Sequence, residues 1–308
     1  MKQATLFLLL FVFTFYINAQ EITTLNLGET RQKNYYTVIP YETISGVPII
    51  RVQIDGSEYR FMFDTGAVTS ISQEIVDKIK PETLLEKLSV TDNSAKVDSL
   101  PVYSLSEIMV GVVQFNDIPA LLFNESTVKT CLEIDGIVGS NLLRNSIVRF
   151  STSDQTITIT DRPENFDLQS KEEYSTEMVL TPNQSSPYIW TALRDKDTAG
   201  VELMFDSGMV GLYDLALDHL NLFMEHDIFS EKPSVAEGSL SYGFFGKNDD
   251  TLQCRLRVPE LNICNSIFKN VMLYTTPASD SRIGMGLLDH GTVTIDYMNK
   301  RFYFEPSF

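Results

Sequence analysis

The 308-residue chain carries 41 acidic against 24 basic side chains, a formal charge of −17, and is 43% apolar and 11% aromatic. That composition excludes a disordered chain, and the length allows two domains of ordinary size around a sizeable buried core. The acidic balance leaves no basic stripe to neutralise phosphate, which argues against a nucleic-acid partner, and no run of like charge is long enough to form a tail.

Lys2 is followed by the apolar run Leu6 to Ile17 and then by Asn18-Ala19, the pattern of a secretory signal cut before Gln20. The run is too short to span a bilayer comfortably, and Gln rather than Cys follows the cut. Residues 1–19 therefore read as a removed signal peptide, and the mature chain is expected to be exported, periplasmic or secreted, with no stable membrane insertion. Cys131, Cys254 and Cys264 allow at most one internal bridge. Cys254 to Val258 reads as strand, which would hold Cys254 and Cys264 far apart, so buried free thiols are expected.

Past the signal, short apolar segments broken by turn residues read as an all-β protein with few helices. Val47 to Ile54 and Tyr59 to Phe63 flank Asp55-Gly56, a hairpin signal. The second strand runs into Phe63-Asp64-Thr65-Gly66-Ala67. Ser70 to Pro81 then reads as a helix, with Ser70 and Gln73 as a capping box, Ile71, Ile75 and Ile79 on one face, and Pro81 as its stop.

The same order returns in the second half. Pro187 to Leu193 and Val201 to Phe205 form the matching hairpin, Phe205-Asp206-Ser207-Gly208-Met209 follows, and Tyr213 to Phe223 reads as helical. Ser106 to Ile118 resembles Pro259 to Val271. Ile137-Val138-Gly139 matches Arg282-Ile283-Gly284, and each leads into a strand pair, Ile147 to Ile159 and Thr292 to Phe304. The chain therefore reads as a tandem duplication, with lobes over 20–160 and 176–308 and the polar stretch 161–175 as linker; the repeats are too long for solenoid units.

The recurring Asp-Thr/Ser-Gly carries the chemistry. Average residue usage would produce it about 0.15 times in a chain this long. An ionised carboxylate at the buried end of an apolar strand costs several kcal/mol unless something compensates for it, and a Gly two residues later lets the backbone turn sharply. Two such turns face to face would put two carboxylates in one site. Like charges a few Å apart cannot both ionise, so the pair shares one proton and holds a base and an acid at once.

These residues resemble the aspartic proteases of the pepsin and retropepsin type: Phe63-Asp64-Thr65-Gly66 with Ile137-Val138-Gly139, and Phe205-Asp206-Ser207-Gly208 with Ile283-Gly284. The resemblance covers roughly residues 35 to 305. It implies a bilobal, pepsin-like double-lobed acid protease fold built from two retropepsin-like β-barrel lobes, with Asp64 and Asp206 as catalytic residues holding a water between them. Thr65 and Ser207 would bond to the opposite loop, and Gly66 and Gly208 would allow close approach. It further implies a monomer with an intrachain dyad, no metal, no organic cofactor, and a peptide or protein substrate lying extended in a cleft.

Three departures bear on this expectation. Ala67 and Met209 stand where pepsin-like enzymes carry a hydroxyl, so the dyad should titrate higher than theirs and work best at mildly acidic to neutral pH. Arg282 replaces the first apolar residue of the second lobe's Ile-Gly segment. The first-lobe turn near Val90 to Ala95 lacks the aromatic of a flap, whereas Tyr242 and Phe244 in the second lobe form a candidate flap. Two other readings differ in kind: a catalytically silent peptide- or protein-binding module, and an enzyme in which Asp64 meets Asp64 of a second chain. His219 and His226 share a presumed solvated helix face, with no third ligand in a metal pattern.

Overall fold

The computed structural model describes residues 25–307 except 94, 124–126, 194–199, 226–227, 230–233, 239–241, 244 and 248–250. The signal-peptide reading lies outside them. Strands dominate, and the α-helices among the described residues are short: Gln73–Ile79, Thr127–Leu132, Ser140–Leu143 and Leu217–Glu225. None of them is long and apolar enough to cross a membrane.

The two lobes share one antiparallel sheet. Its strands run Tyr36–Pro40, Thr156–Thr160 and Ile147–Ser151 from the first lobe, then Gly291–Asp296, Arg301–Pro306 and Ser175–Leu180 from the second. The seam between lobes is the pairing of Ile147–Ser151 with Gly291–Asp296, with Val148 opposite Ile295. Alternation of apolar and polar residues along Ile147–Ser151 turns Val148 and Phe150 inward. Phe150 meets Phe63 edge-on at 5.6 Å and Phe205 at 5.8 Å, and Phe205 meets Phe302 at 5.3 Å. Since Phe63 and Phe205 immediately precede the two acidic residues, this buried row of rings anchors both acidic strands to the shared sheet.

Within each lobe the strand senses repeat. Ser57–Asp64 runs parallel to Gly136–Gly139, which pairs antiparallel with Ser70–Ser72, itself parallel to Ile118–Phe123. In the second lobe Gly200–Phe205 runs parallel to Arg282–Ile283, which pairs antiparallel with Tyr213–Ala216, itself parallel to Ser266–Thr276.

Both expected helices begin later than their sequence pattern indicates. Ser70–Ser72 is buried strand, the helix is Gln73–Ile79, and Ser72 at its N-cap makes no side-chain cap. Ser70 Oγ instead donates to Val68 O at 2.9 Å, and Gln73 Nε2 bonds Asp77 at 2.8 Å, so the capping box does not form. Tyr213–Ala216 is likewise strand, and the helix is Leu217–Glu225. The cause is the same in both lobes. A slot between two strands of the sheet satisfies the backbone of the first residues, and that outweighs local helix signals.

The polar stretch 161–175 folds as two 3₁₀ segments, Pro163–Phe166 and Leu168–Tyr174. Phe166 and Leu168 are buried against Ile147 and Tyr303, so the connection between lobes is pinned beneath the shared sheet.

Candidate active site

Asp64 and Asp206 end their strands buried, at 9% and 5% exposure, and face each other. A Cβ placed on Gly66 would lie 2.6 Å from Asp206 Cγ, and one on Gly208 would lie 2.4 Å from Asp64 Oδ2. Each loop therefore backs onto the opposite carboxylate, and only glycine permits it. The loops are locked by a reciprocal set of bonds. Thr65 Oγ1 donates to Phe205 O at 2.7 Å and accepts from Ser207 N at 3.1 Å. Ser207 Oγ donates to Phe63 O at 2.8 Å and accepts from Thr65 N at 3.0 Å.

Each carboxylate also accepts from its own loop, Gly66 N to Asp64 Oδ1 at 2.8 Å and Gly208 N to Asp206 Oδ1 at 2.9 Å. Burial first, and then the charge of Asp206 and the hydrogen bond to it, raise Asp64 well above the usual carboxylate range; the Gly66 N–H and Arg282 pull the other way. The residues expected to form the site, Asp64, Thr65, Gly66, Asp206, Ser207 and Gly208, all come together within one chain.

Behind the loops the duplicated segments close the support. Ser140 N donates to Ala67 O at 3.1 Å and Met285 N to Met209 O at 2.8 Å. A Cβ on Gly139 or Gly284 would lie 2.4 Å from the backbone of the acidic loop in front of it. Ser140 Oγ donates to Thr65 O at 2.6 Å and so accepts from the buried Tyr297 hydroxyl at 2.9 Å. Gln184 Nε2 donates to Gly66 O at 3.2 Å.

Two charged groups reach the site whose part in it the sequence did not show, Arg282 and Asp214. Arg282 Nη1 lies 3.1 Å from Asp206 Oδ2, an ion pair with both side chains largely buried. Asp214 lies opposite Arg282 in the ladder. Burial raises its carboxyl to about 6, with Arg282 lowering and Asp206 raising it. The folded chain thus keeps a proton that the unfolded chain releases from about pH 4 upward. Rising pH through that window should lower stability, and Asp64 adds to the same slope. Asp214→Asn is expected to flatten the loss between pH 4 and 6, as checked by denaturant unfolding at both ends of that window.

Of the candidate flap residues, Tyr242 lies in the strand Tyr242–Gly243, paired with Gly246–Lys247, while Phe244 lies outside the described residues. The described aromatic at this turn is Phe245. Its N–H donates to Asp92 Oδ2 at 3.0 Å, and its ring packs beside Leu85, Leu88 and Val90 on a cluster of Leu25, Val68, Leu100, Val102 and Leu121. The second lobe therefore holds the tip of the first lobe's hairpin Glu82–Thr91/Val97–Leu105. Phe245→Ala should loosen that hairpin by about 1 kcal/mol, roughly half the worth of a fully buried Phe, seen as about fivefold faster amide exchange near Asp92.

His219 corrects the solvated-face expectation: it is half-buried, its Nδ1 is 2.7 Å from Ser281 Oγ, and its ring stacks on Phe223. His226 lies outside the described residues. Cys131, Cys254 and Cys264 are free thiols, Cys131 exposed and Cys264 buried, and burial pushes Cys264 up to about 12.

Residues 50–145 match the family model of the gag-polyprotein putative aspartyl protease, a segment that contains the first acidic loop and Ile137-Val138-Gly139. No curated protein matches the chain in sequence. Among solved structures, conglutin gamma, a basic 7S globulin from lupine seeds, is 9% identical, with 89% of this chain and 96% of that chain covered at a TM-score of 0.49. The basic 7S globulin from soybean is 11% identical, with 89% and 97% covered at a TM-score of 0.49. The family signature thus lies on the first acidic loop, and the bilobal chain places a geometric counterpart of that loop in its second half.

Proposed function

We propose that the protein is an aspartic endopeptidase that hydrolyses peptide bonds with a water activated between Asp64 and Asp206. The observation that carries this reading is the reciprocal Thr65/Ser207 lock, which holds two buried carboxylates face to face with each Gly backing onto the opposite acid. One ionised carboxylate takes a proton from water while the protonated one donates to the scissile carbonyl oxygen. Neither role needs a metal or an organic cofactor. Ala67 and Met209 offer the pair no hydroxyl, and burial with the neighbouring Asp206 raises Asp64 above the usual carboxylate range, so the optimum is expected at mildly acidic to neutral pH.

The test is cleavage of a mixed peptide library by the purified chain across acidic to neutral pH. Cleavage that peaks in strong acid would contradict the pH assignment. A second reading, a silent peptide-binding module of the same fold, draws on the bond from Phe245 to the Asp92 tip, which ties the hairpin down from the opposite lobe. Retained peptide binding without cleavage at any pH would favour it.

A further inference from the structure

The two halves of the site differ in charge behind the acidic strands. Ile137 lies opposite Met62 and Ser70, and packs in an apolar cluster with Ile49, Met62 and Phe123. The same ladder positions in the second lobe put Arg282 opposite Met204 and Asp214, with Tyr188 beside Met204 and Thr276 on the next strand. An apolar cluster in one lobe is therefore a charged one in the other, and its guanidinium reaches the acidic pair.

The bonding of the two carboxylates is correspondingly unequal. Asp206 accepts on both oxygens, from Gly208 N at 2.9 Å on Oδ1 and from Arg282 Nη1 at 3.1 Å on Oδ2. Asp64 accepts from Gly66 N on Oδ1, and its Oδ2 faces the Gly208 loop, with no ion pair to it among the described residues. Hydrogen bonds and an opposite charge favour the ionised form of the group that receives them. We propose that Arg282 breaks the symmetry of the pair, fixing Asp206 as the anion and leaving the shared proton on Asp64.

The other groups around the pair do not reverse this order. Asp214 faces Arg282 across the ladder, and Tyr188 feels Asp280, Arg282 and Asp206. Burial and Asp280 raise the Tyr188 phenol, so it stays neutral. Tyr297 stands behind Thr65 through Ser140, and His219 bonds Ser281, next to Arg282. Arg282 is thus ion-paired to Asp206 and stands opposite Asp214, both acids of its own lobe.

Under the peptidase reading, on which the roles of acid and base rest, Asp206 takes a proton as the water oxygen bonds the carbonyl carbon. The carbonyl π pair moves to oxygen, which takes the proton of Asp64. As the C–N bond breaks, Asp206 gives its proton to the leaving nitrogen, and a hydroxyl of the diol returns one to Asp64. Arg282 touches no reacting atom and is a positioning residue.

The test is a ¹³C-carboxyl NMR titration of Asp-labelled protein, with Asp64 and Asp206 assigned through their Asn variants, alongside pH profiles of kcat/KM. Expected is an Asp206 that ionises first and an Asp64 that keeps its proton to higher pH. In Arg282→Met both steps should move up by about one unit or more, carrying both limbs of any kcat/KM profile with them, whereas Arg282→Lys should keep the parent order. An Asp64 that ionises first, or midpoints unmoved in Arg282→Met, would overturn the proposal. If that variant does not fold, the order in the parent and in Arg282→Lys decides. Absence of hydrolysis with the expected titration order would sink the peptidase reading and leave the ion-pair assignment standing.

Discussion

Asp64→Asn or Asp206→Asn is expected to lower kcat/KM for any cleaved peptide by on the order of 10²–10⁴-fold, the span that general acid–base groups supply. The double variant should lose little more than either single one, because the two carboxylates act as one unit and removing half of it removes the function. Peptide binding should survive, since the amide keeps the size of the acid and the loop lock does not pass through either carboxyl group. The measurement is single-turnover cleavage with binding followed separately on the same peptide. Activity that survives Asp206→Asn but not Asp64→Asn would point instead to a pair formed between two chains.

Thr65→Val should be the most damaging change of shape-conserving kind. It removes the hydroxyl that donates to Phe205 O and accepts from Ser207 N, in a place where neither group can reach water. Two buried backbone groups are then left unpaired at about 1–3 kcal/mol each, so a loss of about 2–6 kcal/mol is expected. Denaturant unfolding at a fixed pH reads this directly. Ser207→Ala should cost a similar amount, because Ser207 Oγ serves Phe63 O and Thr65 N in the mirrored way. The two changes together should fall short of the sum, as they dismantle one network. A loss no larger than that of a surface substitution would mean that water enters and satisfies the exposed ends, and that the lock does not hold the lobes in register.

Both expectations rest on residues that the sequence marks twice over. The Asp-Thr/Ser-Gly loops, the hairpins before them, the Ile-Gly segments behind them and the strand pairs at the lobe seam follow from apolar runs and turn residues, and their recurrence predicts a twofold site. Local chemistry suffices here because a strand ending in Asp with Gly two residues on has few ways to be buried. The helix starts at Ser70 and Tyr213 were not legible, since short polar–apolar stretches satisfy both a helix and a slot between strands, and only the neighbours Gly136–Gly139 and Arg282–Ile283 decide between them.

The tertiary structure alone decides the electrostatics of the pair. In the sequence Arg282 is a break in an apolar pattern and Asp214 an ordinary acid in a presumed helix. They reach Asp206 because parallel pairing of Gly200–Phe205 with Arg282–Ile283 carries a side chain from far along the chain beside the acidic turn. Phe245 reaches Asp92 only when the lobes close on each other. Sequence determines where a carboxylate ends its strand; which charges stand around it depends on which strands become neighbours, and electrostatic interaction depends on distance in space rather than along the chain.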